Sequence, residues 1–303
     1  MSAPVRIAVV GAGRMGRVHL SVLEALPGVE VAAVVDPFAP GATHVDLDVL
    51  LAGGRPDGAV VAAPSTLHLE LVAQLLEAGV PTLCEKPCGT TPAEARAAVE
   101  RAAETGTPLQ IGYWRRFVPE LEELRGRIVA GELGAVLLVR SEQWDERPPA
   151  PSFRAVSGGI LVDMGVHEFD QIRWLTGEEL DCRAIAAATA GVDPPVEGDP
   201  ESVEAVFALS GGGLGVVSLG RRFPPGDMCR VTVYGTSDSA ECPFLWPPDS
   251  ERAFAEGIAA QDAAFVGLVR GGTQQGASPA DAVAALVAAE QAKSSLESRG
   301  EAS

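Results

Sequence analysis

Three ionisable residues, Asp163, His167 and Asp170, are spaced by four and then three residues in the segment 159–175. The apolar pattern of this segment predicts one continuous helix, on which residues at these spacings share a face. A neighbouring carboxylate stabilises the charged form of an imidazole, whose reference pKa is about 6.5, so His167 suits a general base. The same spacing also fits a structural histidine or a set of zinc ligands, and we predict no metal here.

A lysine follows the predicted strand at 80–85, in the sequence Glu85-Lys86-Pro87. Ligands of open α/β sheets bind outside the carboxyl ends of the strands. We therefore expect Lys86 to face a cofactor crevice, where its ammonium group stabilises negative charge that develops on a reacting oxygen. The alternative is a surface ion pair between Glu85 and Lys86.

A glycine-rich turn joins the first predicted strand, 5–10, to the first predicted helix. The turn has the pattern G-x-G-x-x-G, formed by Gly11, Gly13 and Gly16 with Arg14 and Met15 before the last glycine. In this context the glycines permit a tight turn, the close approach of a pyrophosphate, and close packing of helix on strand. Asp36 ends the second predicted strand, where its carboxylate can accept hydrogen bonds from an adenosine ribose and repel a 2′-phosphate. The residues therefore predict NAD as the cofactor, with NADP less favoured.

The predicted pattern of strands and helices that position these residues changes near residue 115. Before it, short apolar runs alternate with helical patterns, which predicts a doubly wound parallel sheet covered on both faces. After it, four strands within 182–235 follow one another with few helices between them, which predicts an α+β domain with a large, mostly antiparallel, open-faced sheet. We expect domains at 1–116 and 117–303, and a last helix, 279–298, that is able to pack back on the first domain.

The composition narrows the class of protein. The chain has 303 residues, of which 47% are hydrophobic, and a net charge of −18. Such a charge repels phosphate backbones and anionic lipids, and no apolar run reaches the roughly 20 residues of a membrane span, so we expect neither nucleic acid nor a membrane as partner. The five cysteines include no CxxC pair. Reduced thiols in a cytoplasmic protein are therefore expected.

Several segments together resemble the glucose–fructose oxidoreductase, inositol dehydrogenase and MocA family. They are 5–19 (VRIAVVGAGRMGRVH), 64–68 (PSTLH), 84–87 (CEKP), 112–117 (GYWRRF) and 158–177 (GGILVDMGVHEFDQIRWLTG). The resemblance covers nearly the whole chain. It implies an N-terminal Rossmann domain and a second domain whose open sheet serves oligomer contacts, so we expect a homodimer or homotetramer. It also implies a catalytic triad of Lys86, Asp163 and His167.

Further site residues are expected around this triad. The cofactor-binding set adds Pro64, Ser65, His68 and Glu85, and the substrate-binding set adds Tyr113, Arg115 and Trp144. Three of these have a structural alternative: His68 as a surface residue, Arg115 with Arg116 as a clamp on local carboxylates, and Trp144 with Asp145 as packing for a Pro-rich loop. His19 and His44 carry no partner pattern in the sequence.

The reaction implied by the resemblance is hydride transfer between a nicotinamide and a hydroxyl-bearing carbon of a polyol, inositol or sugar. In this reaction His167 takes the hydroxyl proton, Lys86 hydrogen-bonds the same oxygen, and Asp163 orients the substrate and tunes His167. Two other functions remain open at this point. One is an NAD-dependent, redox-neutral glycosidase of the same superfamily, and the other is a non-catalytic dinucleotide-binding sensor.

Overall fold

The chain divides into two compact units, described from a computed structural model of residues 3–188, 196 and 198–300, without the side chains of 299 and 300. The first unit runs to Phe117 and also includes Ala255–Val283, whereas the second unit comprises Val118–Phe254 and the chain from Ala284 onward. The predicted second domain therefore loses 255–283 to the first unit. Of the predicted last helix, residues 279–283 belong to the first unit and the rest to the second, and its packing on the first domain stays a prediction. The predicted ends at residues 1–2 and 301–303 lie outside the described residues.

Packing explains why 255–283 belongs to the first unit. Phe265 has no exposed surface and lies in one hydrophobic cluster with Ile7, Val60 and Leu83. The segment also extends backbone pairing, because the N–H of Ile111 donates to the carbonyl oxygen of Ala277 at 2.9 Å. Residues that contact each other here lie far apart along the chain, so the local sequence pattern does not predict these contacts.

The first unit is built around a five-stranded parallel sheet with strand order β2-β1-β3-β4-β5. The strands are β1 (Val5–Val10), β2 (Val29–Val35), β3 (Gly58–Val61), β4 (Thr82–Glu85) and β5 (Leu109–Gly112). The central strands are continuous apolar runs, and Ile7, Val9 and Val60 have no exposed surface. A parallel sheet covered on both faces requires such strands, so the predicted sheet is confirmed.

The helices of the first unit begin at recognisable sequence signals. They are α1 (Arg14–Ala25), α2 (Leu47–Gly53), α3 (His68–Glu77) and α4 (Pro92–Thr105), together with residues 255–269 of α9 (Ser250–Val269). At α4 the Thr91 hydroxyl accepts the N–H of Glu94 at 3.2 Å, and Pro92 occupies the first turn. Both features are favoured at helix N-termini. No helix within the described residues is long and apolar enough to span a bilayer.

The second unit contains a six-stranded sheet with strand order β11-β10-β6-β9-β8-β7. The strands are β6 (Val136–Trp144), β7 (Leu180–Ala188), β8 (Ser202–Leu209), β9 (Leu214–Gly220), β10 (Met228–Gly235) and β11 (Ser239–Leu245). All neighbours pair antiparallel except β6 and β9, which run parallel. The mostly antiparallel sheet is confirmed, and β11 is an addition to it. Because β6 and β9 are parallel, their carboxyl ends leave the sheet at the same edge.

The helices of the second unit differ from the prediction in the segment 159–175, which contains Asp163 and His167. They are α5 (Pro119–Val129), α6 (Pro151–Arg154), α7 (Ile160–Asp163), α8 (Gly165–Thr176) and most of α10 (Pro279–Gly300). The prediction of one helix over 159–175 is wrong, because Met164 interrupts it with φ −100° and ψ −53°. A Cβ on Gly165 would lie 3.0 Å from the ring of Phe169 and 3.3 Å from Leu219. The backbone at Gly165 therefore lies close to Phe169 and to Leu219 of β9.

Candidate active site

The glycine turn of the first unit has the geometry that its pattern predicts. Gly11 has φ +93°, and a Cβ there would lie 2.6 Å from the backbone nitrogen of Ala63. A Cβ on Gly16 would lie 1.9 Å from the carbonyl oxygen of Gly11. Both positions therefore exclude any side chain, the first also because a positive φ disfavours other residues. The two glycines bring α1 and β1 into close contact.

Gly13 differs from its neighbours, because the space beside it is open. It is the N-cap of α1, has no side-chain cap, and would carry a Cβ with no heavy atom within 4 Å. Arg14 and Met15 begin the helix at this open end. The first N–H groups of a helix attract anions, since they lack intrahelical partners and lie at the positive end of the helix dipole. This exposed N-terminus fits the pyrophosphate of a dinucleotide.

Asp36 is tied to the glycine turn by its own carboxylate. One carboxylate oxygen accepts the N–H of Ala12 at 2.8 Å, and the other accepts the N–H groups of Phe38 and Ala39 at 2.8 and 2.9 Å. The hydrogen bond from Ala12, followed by that from Phe38, lowers the pKa of Asp36. The carboxylate is therefore ionised at neutral pH. The oxygen bound to Ala12 keeps a lone pair for a ribose hydroxyl.

His68 is buried and holds two backbone turns together. It is 1% exposed, and its two ring nitrogens lie 2.8 Å from the carbonyl oxygens of Pro87 and Ala63. The surface alternative for His68 is thus wrong, and its predicted contact with a cofactor stays a prediction. Pro64 and Ser65 lie in the adjoining turn, where the N–H of Leu67 donates to the Pro64 carbonyl at 2.8 Å. Their predicted contact with a cofactor stays a prediction.

Lys86 lies between two anchored neighbours. It follows β4 and is joined to Pro87 by a cis peptide bond, and Pro87 is held by His68. On the other side Glu85 is 6% exposed, and its carboxylate accepts a hydrogen bond from His19 at 3.1 Å. Glu85, predicted to bind cofactor, thus is buried and has a partner, His19, that the sequence did not reveal.

The aromatic and basic residues after β5 are buried as well. Tyr113 and Arg115 are 1% and 4% exposed. Arg116 forms an ion pair with Asp281 at 3.2 Å, and both belong to the first unit. This pair supports the clamp alternative for Arg116, whereas the predicted substrate contact of Tyr113 and Arg115 stays a prediction.

Asp163 belongs to a buried network of charges in the second unit. Arg221 has no exposed surface and donates to Asp163 at 3.3 Å and to Asp199 at 3.1 Å. Asp199 also accepts from the Arg154 side chain and from the N–H of Ile160, the first residue of α7. Asp199 thus fixes both the start of α7 and the arginine that holds Asp163, the last residue of α7.

His167 lies in the first turn of α8, just beyond the break at Met164. Its N–H donates to the carbonyl of Met164 at 3.0 Å, and the residue is 8% exposed. The neighbouring Asp170 is 2% exposed. Asp163 is the last residue of α7 and His167 lies in α8, with Met164 between the two helices in a right-handed helical conformation.

The carboxyl end of β6 adds a titratable group beside this network. The Trp144 ring covers Gly220, and its N–H donates to Ser218 at 3.1 Å, which supports the packing alternative for Trp144. Asp145 follows it, and burial raises the pKa of its carboxyl to about 6, against a hydrogen bond from Gln143. Asp163 also contributes to this rise. Asp145 therefore changes charge close to physiological pH.

The fold and these sites define an NAD-binding oxidoreductase that acts on CH–OH groups. A family model described as an oxidoreductase family with an NAD-binding Rossmann fold matches residues 5–113, and one described as the GFO/IDH/MocA C-terminal domain matches residues 121–241. The chain therefore belongs to the Gfo/Idh/MocA family, and the resemblance found in its motifs is confirmed.

Characterised relatives are similar along most of the chain. The Rhizopine catabolism protein MocA of Rhizobium meliloti is 49% identical, covering 95% of this chain and 93% of the relative. The Myo-inositol dehydrogenase Hyg17 of Streptomyces leeuwenhoekii is 38% identical, covering 78% and 75%. Among solved structures, GenD2 from gentamicin A biosynthesis in complex with NAD has a TM-score of 0.88 at 26% identity, covering 98% of this chain and 95% of that one. A Myo-inositol dehydrogenase from Corynebacterium glutamicum has a TM-score of 0.85 at 26% identity, covering 98% and 97%.

Proposed function

We propose that this protein is an NAD-dependent dehydrogenase that oxidises a secondary hydroxyl of a cyclic polyol of the inositol class. The observation that carries the proposal is the pairing of Asp163 with the fully buried Arg221, beside the helix that holds His167. A carboxylate held in this way accepts hydrogen bonds from a substrate hydroxyl with little reorganisation. Relatives named as myo-inositol dehydrogenases support the choice of substrate class.

The chain's own residues take three roles in the proposed reaction. His167 accepts the hydroxyl proton, and Lys86 donates a hydrogen bond to the same oxygen as its negative charge develops. Asp163 orients the substrate through a neighbouring hydroxyl. The bound NAD supplies the hydride acceptor. The open N-terminus of α1 at Gly13 would hold its pyrophosphate, and Asp36 its adenosine ribose.

The test is NADH formation at 340 nm with myo-inositol, scyllo-inositol, pentoses, hexoses and their acids at about pH 9, with NAD and NADP in parallel. We expect turnover with an inositol and NAD. His167→Ala should abolish most of it, whereas the matched control His44→Ala should not, because the His44 ring pairs with the Thr43 hydroxyl at an exposed position. Tight NAD binding without net NADH from any free polyol would contradict the proposal and favour the redox-neutral glycosidase or the sensor.

We also propose that the protein works as a cytoplasmic homodimer or homotetramer joined through the sheet of the second unit. In this sheet Leu138 pairs with Leu214 on one side and with Tyr234 on the other, so the three side chains form an apolar row across one face. Leu214 is 42% and Tyr234 is 50% exposed. Light scattering after gel filtration should show an oligomer, and Tyr234→Asp should weaken it. A monomer at micromolar concentration would contradict the proposal.

A further inference from the structure

A buried group of three charges lies in the first unit, apart from the residues given roles above. His19, in the middle of α1, has no exposed surface. Its Nδ1 lies 2.9 and 3.0 Å from the two carboxylate oxygens of Asp262, and its Nε2 lies 3.1 Å from a carboxylate oxygen of Glu85. Asp262, on α9, is also fully buried. Because carboxylates only accept, both ring nitrogens donate and the ring is an imidazolium.

The charge on His19 is stable over a wide pH range. Burial opposes it, but the attraction and the hydrogen bonds of Asp262 and Glu85 outweigh burial and raise the pKa of His19 to about 10. A buried charge of this kind persists only when it is paired and hydrogen-bonded. Removing the ring would leave two buried carboxylates facing each other, so one would be protonated or would move.

The three side chains join elements with different tasks. His19 belongs to the helix whose N-terminus carries the glycine turn, and Glu85 is the last residue of β4, directly before Lys86. Gly112 on β5 leaves the room that Glu85 needs, since a Cβ there would lie 2.8 Å from the Glu85 carboxylate. With Pro87 held by His68, Lys86 is anchored through both of its neighbours.

We propose that His19 and Asp262 are positioning residues, which act through the Glu85 carboxylate to fix the backbone that carries Lys86 relative to the cofactor-binding helix. The catalytic role of Lys86 rests on the proposed function. The positioning of Lys86 is a separate claim, and it can be tested without turnover.

The chain contains only two lysines, Lys86 and Lys293, so NMR of protein labelled with [13C]lysine gives two side-chain signals that a Lys293→Arg variant assigns. In His19→Gln and in Asp262→Asn we expect the Lys86 signal to shift or broaden while the Lys293 signal stays unchanged. With an active substrate, kcat should fall at least ten-fold, with KM and the Kd for NAD within about three-fold. The double variant should be no worse than either single variant, because both break one linkage. His44→Gln is the matched control and should behave as wild type.

Two results would overturn the proposal. One is a folded His19→Gln or Asp262→Asn variant whose Lys86 signal and kcat equal those of the wild type. The other is [13C]histidine-labelled wild-type protein in which all four histidine signals titrate near pH 6.5, and this measurement needs no variant to fold. If no substrate is turned over, the proposed function fails but the two NMR measurements still decide. If His167→Ala is inactive and His19→Gln is normal, only the positioning role fails.

Discussion

Gly13→Ala should separate cofactor binding from folding. Gly13 has φ −69° and ψ −158°, which an alanine adopts without strain, and its Cβ would meet no heavy atom within 4 Å. A strain-free glycine-to-alanine change stabilises a protein by about 0.4–1 kcal/mol through its unfolded chain. The methyl would occupy the space expected for the pyrophosphate, and overpacking costs about 1–3 kcal/mol. The Kd for NAD should therefore rise about 5- to 150-fold, since 1.4 kcal/mol is a factor of ten.

Calorimetric titration with NAD measures the affinity, and thermal unfolding without NAD measures the stability. Gly16→Ala is the contrasting variant, because its Cβ would lie 1.9 Å from the Gly11 carbonyl oxygen and should disrupt the fold itself. Gly126→Ala, within α5, also meets no atom within 4 Å and should leave NAD affinity unchanged. An unchanged Kd for NAD in a Gly13→Ala variant of normal stability would refute the placement of the pyrophosphate at this turn.

Four other changes have defined expected outcomes. His167→Ala should lower kcat by about 10²–10⁴-fold without altering the Kd for NAD, as measured by NADH formation and calorimetry. Arg221→Met removes the buried cation that pairs with both Asp163 and Asp199 and should lower the free energy of unfolding in urea by about 3–5 kcal/mol. Asp145 has a pKa of about 6 in the folded protein, above its reference value of 3.8. The folded protein is therefore stabilised while Asp145 is protonated, and this stability is lost as the pH rises through 6. Asp145→Asn should gain stability relative to wild type between pH 4 and 8, by about 2–3 kcal/mol. His19 has the same sign, so wild type should lose stability between pH 6.5 and about 10, and His19→Gln should lack this slope in urea titrations at each pH.

The sequence predicted well those parts of the fold that depend on neighbouring residues. Continuous apolar runs mark buried parallel strands, and β1 has the predicted bounds, 5–10. Ser278 before Pro279 correctly predicts the start of α10, where the N–H and hydroxyl of Ser278 donate to Asp281 at 2.8 Å. The interruption at Met164 was not predicted, and the neighbouring Gly165 lies close to Leu219, a residue distant in the sequence.

In the candidate site, too, local motifs were predictable from the sequence and contacts between distant residues were not. The glycine turn and Glu85-Lys86-Pro87 are local motifs, so the residues themselves indicate their chemistry. Their partners are distant: His19 and Asp262 are 243 positions apart, and Asp163 and Arg221 are 58 apart. A histidine on the apolar face of α1 was the one available signal for the first pair, since a buried imidazole needs a partner. The sequence alone does not identify which carboxylate contacts this imidazole.

The two buried charge networks have a common feature, which supports the roles proposed for Lys86 and Asp163. In the first unit the carboxylates of Asp262 and Glu85 flank the His19 imidazolium, and Lys86 is the next residue after Glu85. In the second unit Arg154 and Arg221 face the carboxylates of two aspartates, Asp163 and Asp199. Positive and negative charges are equal in number in each set. Buried ion pairs stabilise a fold less well than apolar packing, because desolvation offsets their attraction. Such ion pairs contribute mainly by fixing the positions of the paired side chains. In the first network His19 and Asp262 have no exposed surface, and in the second Arg221 has none, whereas Lys86 is partly exposed and the Asp163 side chain is 15% exposed. We therefore expect the buried charges to hold in place the two groups that remain accessible to a substrate.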